Sequence, residues 1–245
     1  MDIPILYEDE SVAVIDKPSG VVVWDDKTIE AKTIKNWAEK YFKLPPRGTR
    51  GTFDTRDTFY IRAGIVHRLD KETSGCLIIA KNPESFEKLK FAFKNRLVSK
   101  IYIALVHGKV LPDKGEVRAP LGRMPGKKWK FSVIPGGKEA ITKYKVLKHL
   151  SEKFSLVELN PVTGRTHQIR IHLKYLGFSV VGDYLYGLKN QKKEDRSWCP
   201  RVFLHASKIT FPHPALNRNV TVESKVPSQL QTVLETIALR KLRYK

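Results

Sequence analysis

Cysteine is nearly absent. Only Cys76 and Cys199 occur among 245 residues, and neither sits in a CxxC pair or a Cys/His cluster. That argues against a disulfide framework and against a structural zinc site. The histidines offer no metal pair either. His167 and His172 are five residues apart, whereas paired ligands on one helical face are four apart. No apolar run approaches the roughly 20 residues of a membrane helix. The opening Met1-Asp2-Ile3-Pro4-Ile5-Leu6-Tyr7-Glu8-Asp9-Glu10 is acidic, unlike a signal or transit peptide, so a soluble cytoplasmic chain with reduced thiols is expected. Rossmann, Walker and zinc patterns are missing as well.

Acidic residues are outnumbered. The chain holds 25 Asp and Glu against 45 Lys and Arg, a formal net charge of +20. A folded domain this basic usually meets a polyanion, with nucleic acid first in line. Hydrophobic residues make up 41% of the chain, enough for a substantial core.

Short runs rich in Val, Ile, Tyr and Phe predict strands at 12–15, 21–23, 77–80, 101–106, 140–147, 154–159, 202–210 and 220–222. Four helices are predicted. The first follows Thr33 as N-cap, with Ile34, Trp37, Ala38, Tyr41 and Phe42 at helical spacing. The second opens at Asn82-Pro83, with Phe86, Leu89, Phe93 and Leu97 on its apolar face. The third is capped by Thr166, carries Ile169, Leu173 and Leu176, and ends at Gly177. The last follows Ser228, with Leu230, Val233, Leu234 and Ile237 on one face. Strands in runs with interspersed helices point to an α+β fold. With no repeat or low-complexity linker, one domain over 1–245 is expected, with surface insertion loops near 45–57 and 188–199. Basic clusters at 123–130 (with Trp129), 189–193 and 240–245 are candidate phosphate contacts.

The segment Val66-His67-Arg68-Leu69-Asp70-Lys71-Glu72-Thr73-Ser74-Gly75 precedes a strand, where loops often carry reactive groups. From pattern alone it reads rather as a charged surface turn in which Arg68 and Asp70 pair.

His-Arg-Leu-Asp followed by Thr73-Ser74-Gly75 resembles the catalytic motif of the RluA-type pseudouridine synthase family. Four further blocks resemble that family in the same order. They are 5–9 through Asp16-Lys17-Pro18-Ser19-Gly20; Lys100-Ile101-Tyr102 through Gly108; Pro161 through Arg170, continuing to Gly182-Asp183 and Tyr186-Gly187; and Leu204-His205-Ala206 with His213-Pro214. The resemblance runs from about residue 3 to residue 227.

It implies a mixed, mostly antiparallel sheet with flanking helices, and isomerisation of uridine to pseudouridine in structured RNA, ribosomal or transfer. The N1–C1′ bond breaks, the base turns, and it rejoins through C5, so no cofactor and no metal are implied. The chemistry asks for an ionised carboxylate in a water-poor pocket, and the resemblance assigns it to Asp70. Desolvation favours the neutral acid, and an adjacent guanidinium opposes it. By resemblance that guanidinium is Arg165, with an RNA-phosphate contact as the alternative. Tyr102 would hold the base by its face. Arg68 would fill the space left by a flipped uridine or contact a phosphate. The opening block lies at the start of the chain, so no S4-like domain is expected before it, and the 45–57 insertion is expected to help select RNA. A monomer without membrane partners is expected. The competing reading is a catalytically inactive RNA-binding protein with the same fold.

Overall fold

The computed structural model describes residues 1–24, 33–44, 55–126 and 130–243. In chain order the elements are β1 (Ile5–Glu8), β2 (Val12–Lys17), α1 (Ile34–Tyr41), α2 (Thr55–Ile61), β3 (Ser74–Ala80), α3 (Pro83–Lys94), β4 (Ser99–His107), β5 (Lys114–Arg118), β6 (Leu121–Arg123), β7 (Phe131–Val133), β8 (Ile141–Ser151), β9 (Phe154–Pro161), α4 (Gln168–Tyr175), α5 (Lys189–Asp195), β10 (Leu204–Pro212), β11 (Asn219–Glu223) and α6 (Ser228–Arg243). The fold is α+β, with a mostly antiparallel sheet and flanking helices. Among the described residues no helix is long and apolar enough to cross a membrane. The chain forms two compact units, Met1–Ser99 with Lys208–Ser224, and Lys100–Ser207 with Lys225–Lys245.

The first unit is organised by β2 and β3, paired antiparallel from Val12↔Ala80 to Lys17↔Gly75. Every residue of β3 is buried, which explains its unbroken apolar run rather than an alternation. Phe59, Phe86, Leu89 and Ala92 pack with Val12, Val14, Cys76 and Ile78 in one core. The Asn82 side chain caps α3 by accepting the Ser85 N–H at 2.9 Å, and Pro83 follows where no free N–H is needed. The predicted apolar face of this helix needs correcting at its end. Leu97 lies beyond the C-cap Asn95 and is exposed, while Ala92 is buried. Gly64 has φ +73°, and a Cβ there would stand 2.0 Å from the Ala80 carbonyl oxygen. Only glycine allows that approach.

Residues 21–23 were expected to be a strand and are not. The Val22 and Val23 carbonyls accept the Ile34 and Lys35 N–H groups at 3.0 and 2.9 Å, so this run satisfies the start of α1 instead. Of the 45–57 insertion, residues 45–54 lie outside the described residues and 55–57 open α2.

Asp9 ties the opening of the chain to the segment after β10. It accepts hydrogen bonds from Tyr7 Oη, from the Ser11 and Val12 N–H groups and from His213 Nε2, at 2.6 to 2.9 Å. His213 Nδ1 accepts the Ala215 and Leu216 N–H groups, so the ring proton sits on Nε2, facing Asp9. Burial pushes the Asp9 carboxyl up, but these four donors outweigh it and hold it at about 2, against an ordinary value of 3.8. A carboxyl depressed on folding stabilises the protein above its unfolded value, and the stabilisation is lost as pH falls toward its folded value. Asp9→Asn is therefore expected to lose about 2 kcal/mol at pH 7. The gap from wild type should close as pH falls from about 4 to about 2. Urea unfolding of both proteins across that range checks this. A gap independent of pH would refute it.

In the second unit the strand order is β10-β4-β9-β8-β5, with β6-β7 as a separate ribbon. Ala104, Leu105, Val106 and Val157 are fully buried at its centre. The segment 188–199 is not simply a loop, because it carries α5. It is anchored inward: Asp195 accepts the Gly182 N–H at 2.8 Å and lies 3.0 Å from His107 Nε2, and Cys199 is fully buried. The third predicted helix begins later than expected. α4 starts at Gln168 with His167 as N-cap in the left-handed conformation, φ 55°, and Thr166 does not cap it.

Candidate active site

The residues singled out in the sequence fall in both units: Arg68 and Asp70 in the first, Tyr102 and Arg165 in the second.

Asp70 is half-buried on the turn that enters β3, and its carbonyl accepts the Thr73 N–H at 3.1 Å. This turn is fixed from two sides. On one, His67 Nε2 accepts the Ile78 N–H at 2.9 Å, and the ring stacks on Phe93 with centroids 4.6 Å apart. His67 thus anchors the motif to β3. On the other side stands Lys17, a fully buried lysine at the end of β2. Its ammonium donates to the carbonyls of Pro18, Val21 and Lys71 at 2.8, 2.7 and 3.2 Å. The Lys71 carbonyl also accepts the Gly20 N–H at 2.8 Å, and Ser19 Oγ donates to the Glu72 carbonyl at 2.7 Å. The opening block Lys17-Pro18-Ser19-Gly20 is therefore a clamp on the two residues that follow Asp70. Charges are rarely buried without dense hydrogen bonding, and three carbonyls supply it here.

Arg68 is exposed, with its guanidinium 5.5 Å from the centroid of the Trp24 ring, and Arg62 stands 5.7 Å from the same ring. Sequence reasoning gave Trp24 no part. Its distance along the chain from the His-Arg-Leu-Asp motif hides the contact.

Tyr102 lies on β4, largely buried, with Leu159 of β9 opposite it. Arg165 is exposed on the loop between β9 and α4, and its Nε donates to the Glu139 carbonyl at 3.0 Å. A network centred on Gln168 shapes that loop. Gln168 Oε1 accepts from the Arg165 N–H at 3.0 Å and from Thr163 Oγ1 at 2.7 Å, while its Nε2 donates to the Ile141 carbonyl and to Thr142 Oγ1, both at 2.9 Å. Thr142 in turn meets His172 Nδ1 at 2.9 Å, and His172 Nε2 stands 3.0 Å from the Ala119 carbonyl. A carbonyl only accepts, so Nε2 carries the proton and Thr142 donates to Nδ1. Burial pushes this imidazole below its ordinary value, against the opposing Ala119 carbonyl. Gln168 thus ties the loop before α4 to β8, and α4 itself has no side-chain cap.

Arg170 and Asp183 form a buried pair, Nε–Oδ2 2.7 Å and Nη2–Oδ1 2.8 Å. Asp183 Oδ1 also accepts the Leu185 and Tyr186 N–H groups at 3.0 and 2.9 Å. Burial pushes its carboxyl up, and the Arg170 hydrogen bond and charge bring it below the ordinary value. Arg170 faces the Tyr186 ring at 5.0 Å, and the Tyr186 hydroxyl meets His167 Nδ1 at 2.8 Å. The charged residues of the third block therefore divide their work. Arg170 and Asp183 build the frame, and Arg165 is held outward. Among the described residues, no group of three His, Cys, Asp or Glu side chains is placed to hold a metal ion. Of the basic clusters, Trp129 and the side chains of 240–245 lie outside the described residues, and Arg123 stands over the Phe131 ring at 5.3 Å.

Residues 11–175 match the family model described as RNA pseudouridylate synthase. A Bacillus subtilis protein named uncharacterized RNA pseudouridine synthase YlyB is 36% identical over 237 residues, 97% of this chain and 73% of that one. A Rickettsia bellii protein named ribosomal large subunit pseudouridine synthase C is 38% identical over 231 residues, 94% of this chain and 70% of that one. The solved structure named human RNA pseudouridylate synthase domain containing 4 superimposes with a TM-score of 0.72 at 23% identity, covering 96% of this chain and 92% of that one. It has the same fold.

Proposed function

The chain belongs to the RNA pseudouridylate synthase family, and from that premise we propose that it converts particular uridines of ribosomal or transfer RNA to pseudouridine with Asp70 as the catalytic carboxylate. The observation that carries this reading is the Asp70 turn. A half-buried carboxylate stands on a loop whose backbone is pinned by His67 on one side and by Lys17, Ser19 and Gly20 on the other. Catalysis by a carboxylate beside C1′ or C6 of the target requires such fixed placement.

Arg165, on a loop shaped by Gln168, is the guanidinium that the family resemblance assigns to Asp70. Tyr102 holds the uracil by its face. Arg68, exposed against Trp24, takes the space of the extruded nucleotide and offsets part of the few kcal/mol that flipping costs. The cationic balance of the chain, +20, suits a substrate studded with phosphates. The name of the Rickettsia bellii relative supports large-subunit ribosomal RNA as the first substrate to test.

The test is to map pseudouridine in ribosomal and transfer RNA from cells with and without the gene, then to treat the unmodified RNA with purified protein. Defined positions should gain pseudouridine with no change in RNA mass. Unchanged maps, or release of free uracil, would overturn the proposal.

A further inference from the structure

The fold treats two of the described lysines in opposite ways. Lys17 is caged by three carbonyls. Lys100, at the start of β4, is half-buried and has no hydrogen-bond or ion-pair partner among the described residues. Loss of water pushes its ammonium down to about 8, and no neighbouring charge contributes. Strand alternation puts Lys100 on the same face as Tyr102, two residues on. Its Nζ lies 4.0 Å from the point where a Cβ on Gly164 would stand, and among the described residues no other heavy atom beyond the glycine's own neighbours comes within 4 Å of that point. The glycine beside Arg165 thus leaves open space in front of a poorly solvated cation. An ammonium held this way is unfavourable in the free protein, and an anionic oxygen entering that space relieves the penalty.

We propose that Lys100 is a substrate-binding residue whose ammonium takes an anionic oxygen of the RNA in the space in front of Gly164, beside the base held by Tyr102. This rests on the pseudouridine synthase reading given above. Two oxygens carry that chemistry. One is a phosphate oxygen near the target nucleotide. The other is O2 or O4 of the uracil, which shares negative charge once the electron pair of the broken N1–C1′ bond stays on the base.

Lys100→Met keeps most of the stem and removes the charge, Lys100→Arg keeps the charge, and Asp70→Asn serves as the catalytic control. Urea unfolding, RNA affinity at several salt concentrations, and single-turnover rate at saturating protein are measured for each. Lys100→Met should unfold at the same or higher urea than wild type, because it removes a poorly solvated charge, and Lys100→Arg should recover part of the function. If the oxygen belongs to a phosphate, RNA affinity falls about tenfold. The salt slope then becomes shallower by about one unit, with the saturating rate unchanged. If it belongs to the uracil, affinity holds and the saturating rate falls about tenfold. The proposal is overturned if Lys100→Met stays within about twofold of wild type in both affinity and rate. It is also overturned if the variant loses function only in proportion to lost stability. An active Asp70→Asn would overturn the functional reading instead, whatever Lys100→Met does.

Discussion

Asp70→Asn is expected to lower the rate of pseudouridine formation by at least about 10⁴-fold while RNA affinity stays within about twofold of wild type. Asparagine keeps the shape of the side chain and leaves the backbone as it is. The Asp70 carbonyl still accepts the Thr73 N–H, and Lys17, Ser19 and Gly20 still hold the carbonyls of residues 71 and 72. What disappears is the negative charge, and with it the nucleophile or base. The reaction replaces the hydrogen on C5 of uracil with a bond to C1′, so release of tritium from 5-tritiated uridine in RNA measures it directly. Retained tritium release would remove Asp70 from the chemistry. Equal loss of rate and RNA affinity would make it a binding residue. The same pair of measurements separates an enzyme from an inactive RNA-binding protein of this fold, for which the substitution would change nothing.

The fold class, most strands and the starts of α1 and α3 were legible in the sequence because each rests on local signals. Thr33 and Asn82 cap where their types predict, and their side chains accept the N–H three residues on. The misread elements are those whose reasons lie far along the chain. Residues 21–23 have the composition of a strand, yet the carbonyls of 22 and 23 serve α1 and that of 21 serves Lys17. α5 reads Lys-Asn-Gln-Lys-Lys-Glu-Asp, with no apolar period to announce a helix, and its final Asp195 is fixed by Gly182. α4 begins at Gln168 behind His167 in the left-handed conformation, with no side-chain cap to announce it.

The site divides the same way. Five short blocks that resemble one family pick out Asp70, Arg68, Tyr102 and Arg165, and 165 of the 245 residues fall within that family's model, from 11 to 175. No local rule separates the exposed from the buried, structural cations inside those blocks. Arg165 and Arg170 stand in one motif, but only coordinates tell that Arg170 is bound bidentately to Asp183 while Arg165 is exposed. Lysine is among the residues least often buried, so a reading from composition gives Lys17 no structural part. Its ammonium is nonetheless the post to which the Asp70 turn is tied.

That post carries the second large effect. Lys17→Met keeps an unbranched stem in a fully buried position but withdraws the donor from the carbonyls of Pro18, Val21 and Lys71. Hydrogen bonds from a charged donor contribute more than neutral ones, and a buried acceptor left without a donor costs roughly 1–3 kcal/mol. The Lys71 carbonyl retains the Gly20 N–H, so the loss falls mainly on Pro18 and Val21. A destabilisation of about 4 kcal/mol follows, a large part of the 5–15 kcal/mol that holds a typical domain together. Urea unfolding reads it directly. Measured at low temperature, where the variant is still folded, the saturating rate should also fall by about 10²-fold, because a turn released by about an ångström misplaces Asp70. RNA affinity should change little, since Lys17 itself is sealed from solvent. A variant as stable as wild type would mean that these carbonyls find other donors and that the clamp is dispensable. A variant that is unstable yet catalyses at the full rate when folded would mean that Lys17 supports the unit without aiming the carboxylate.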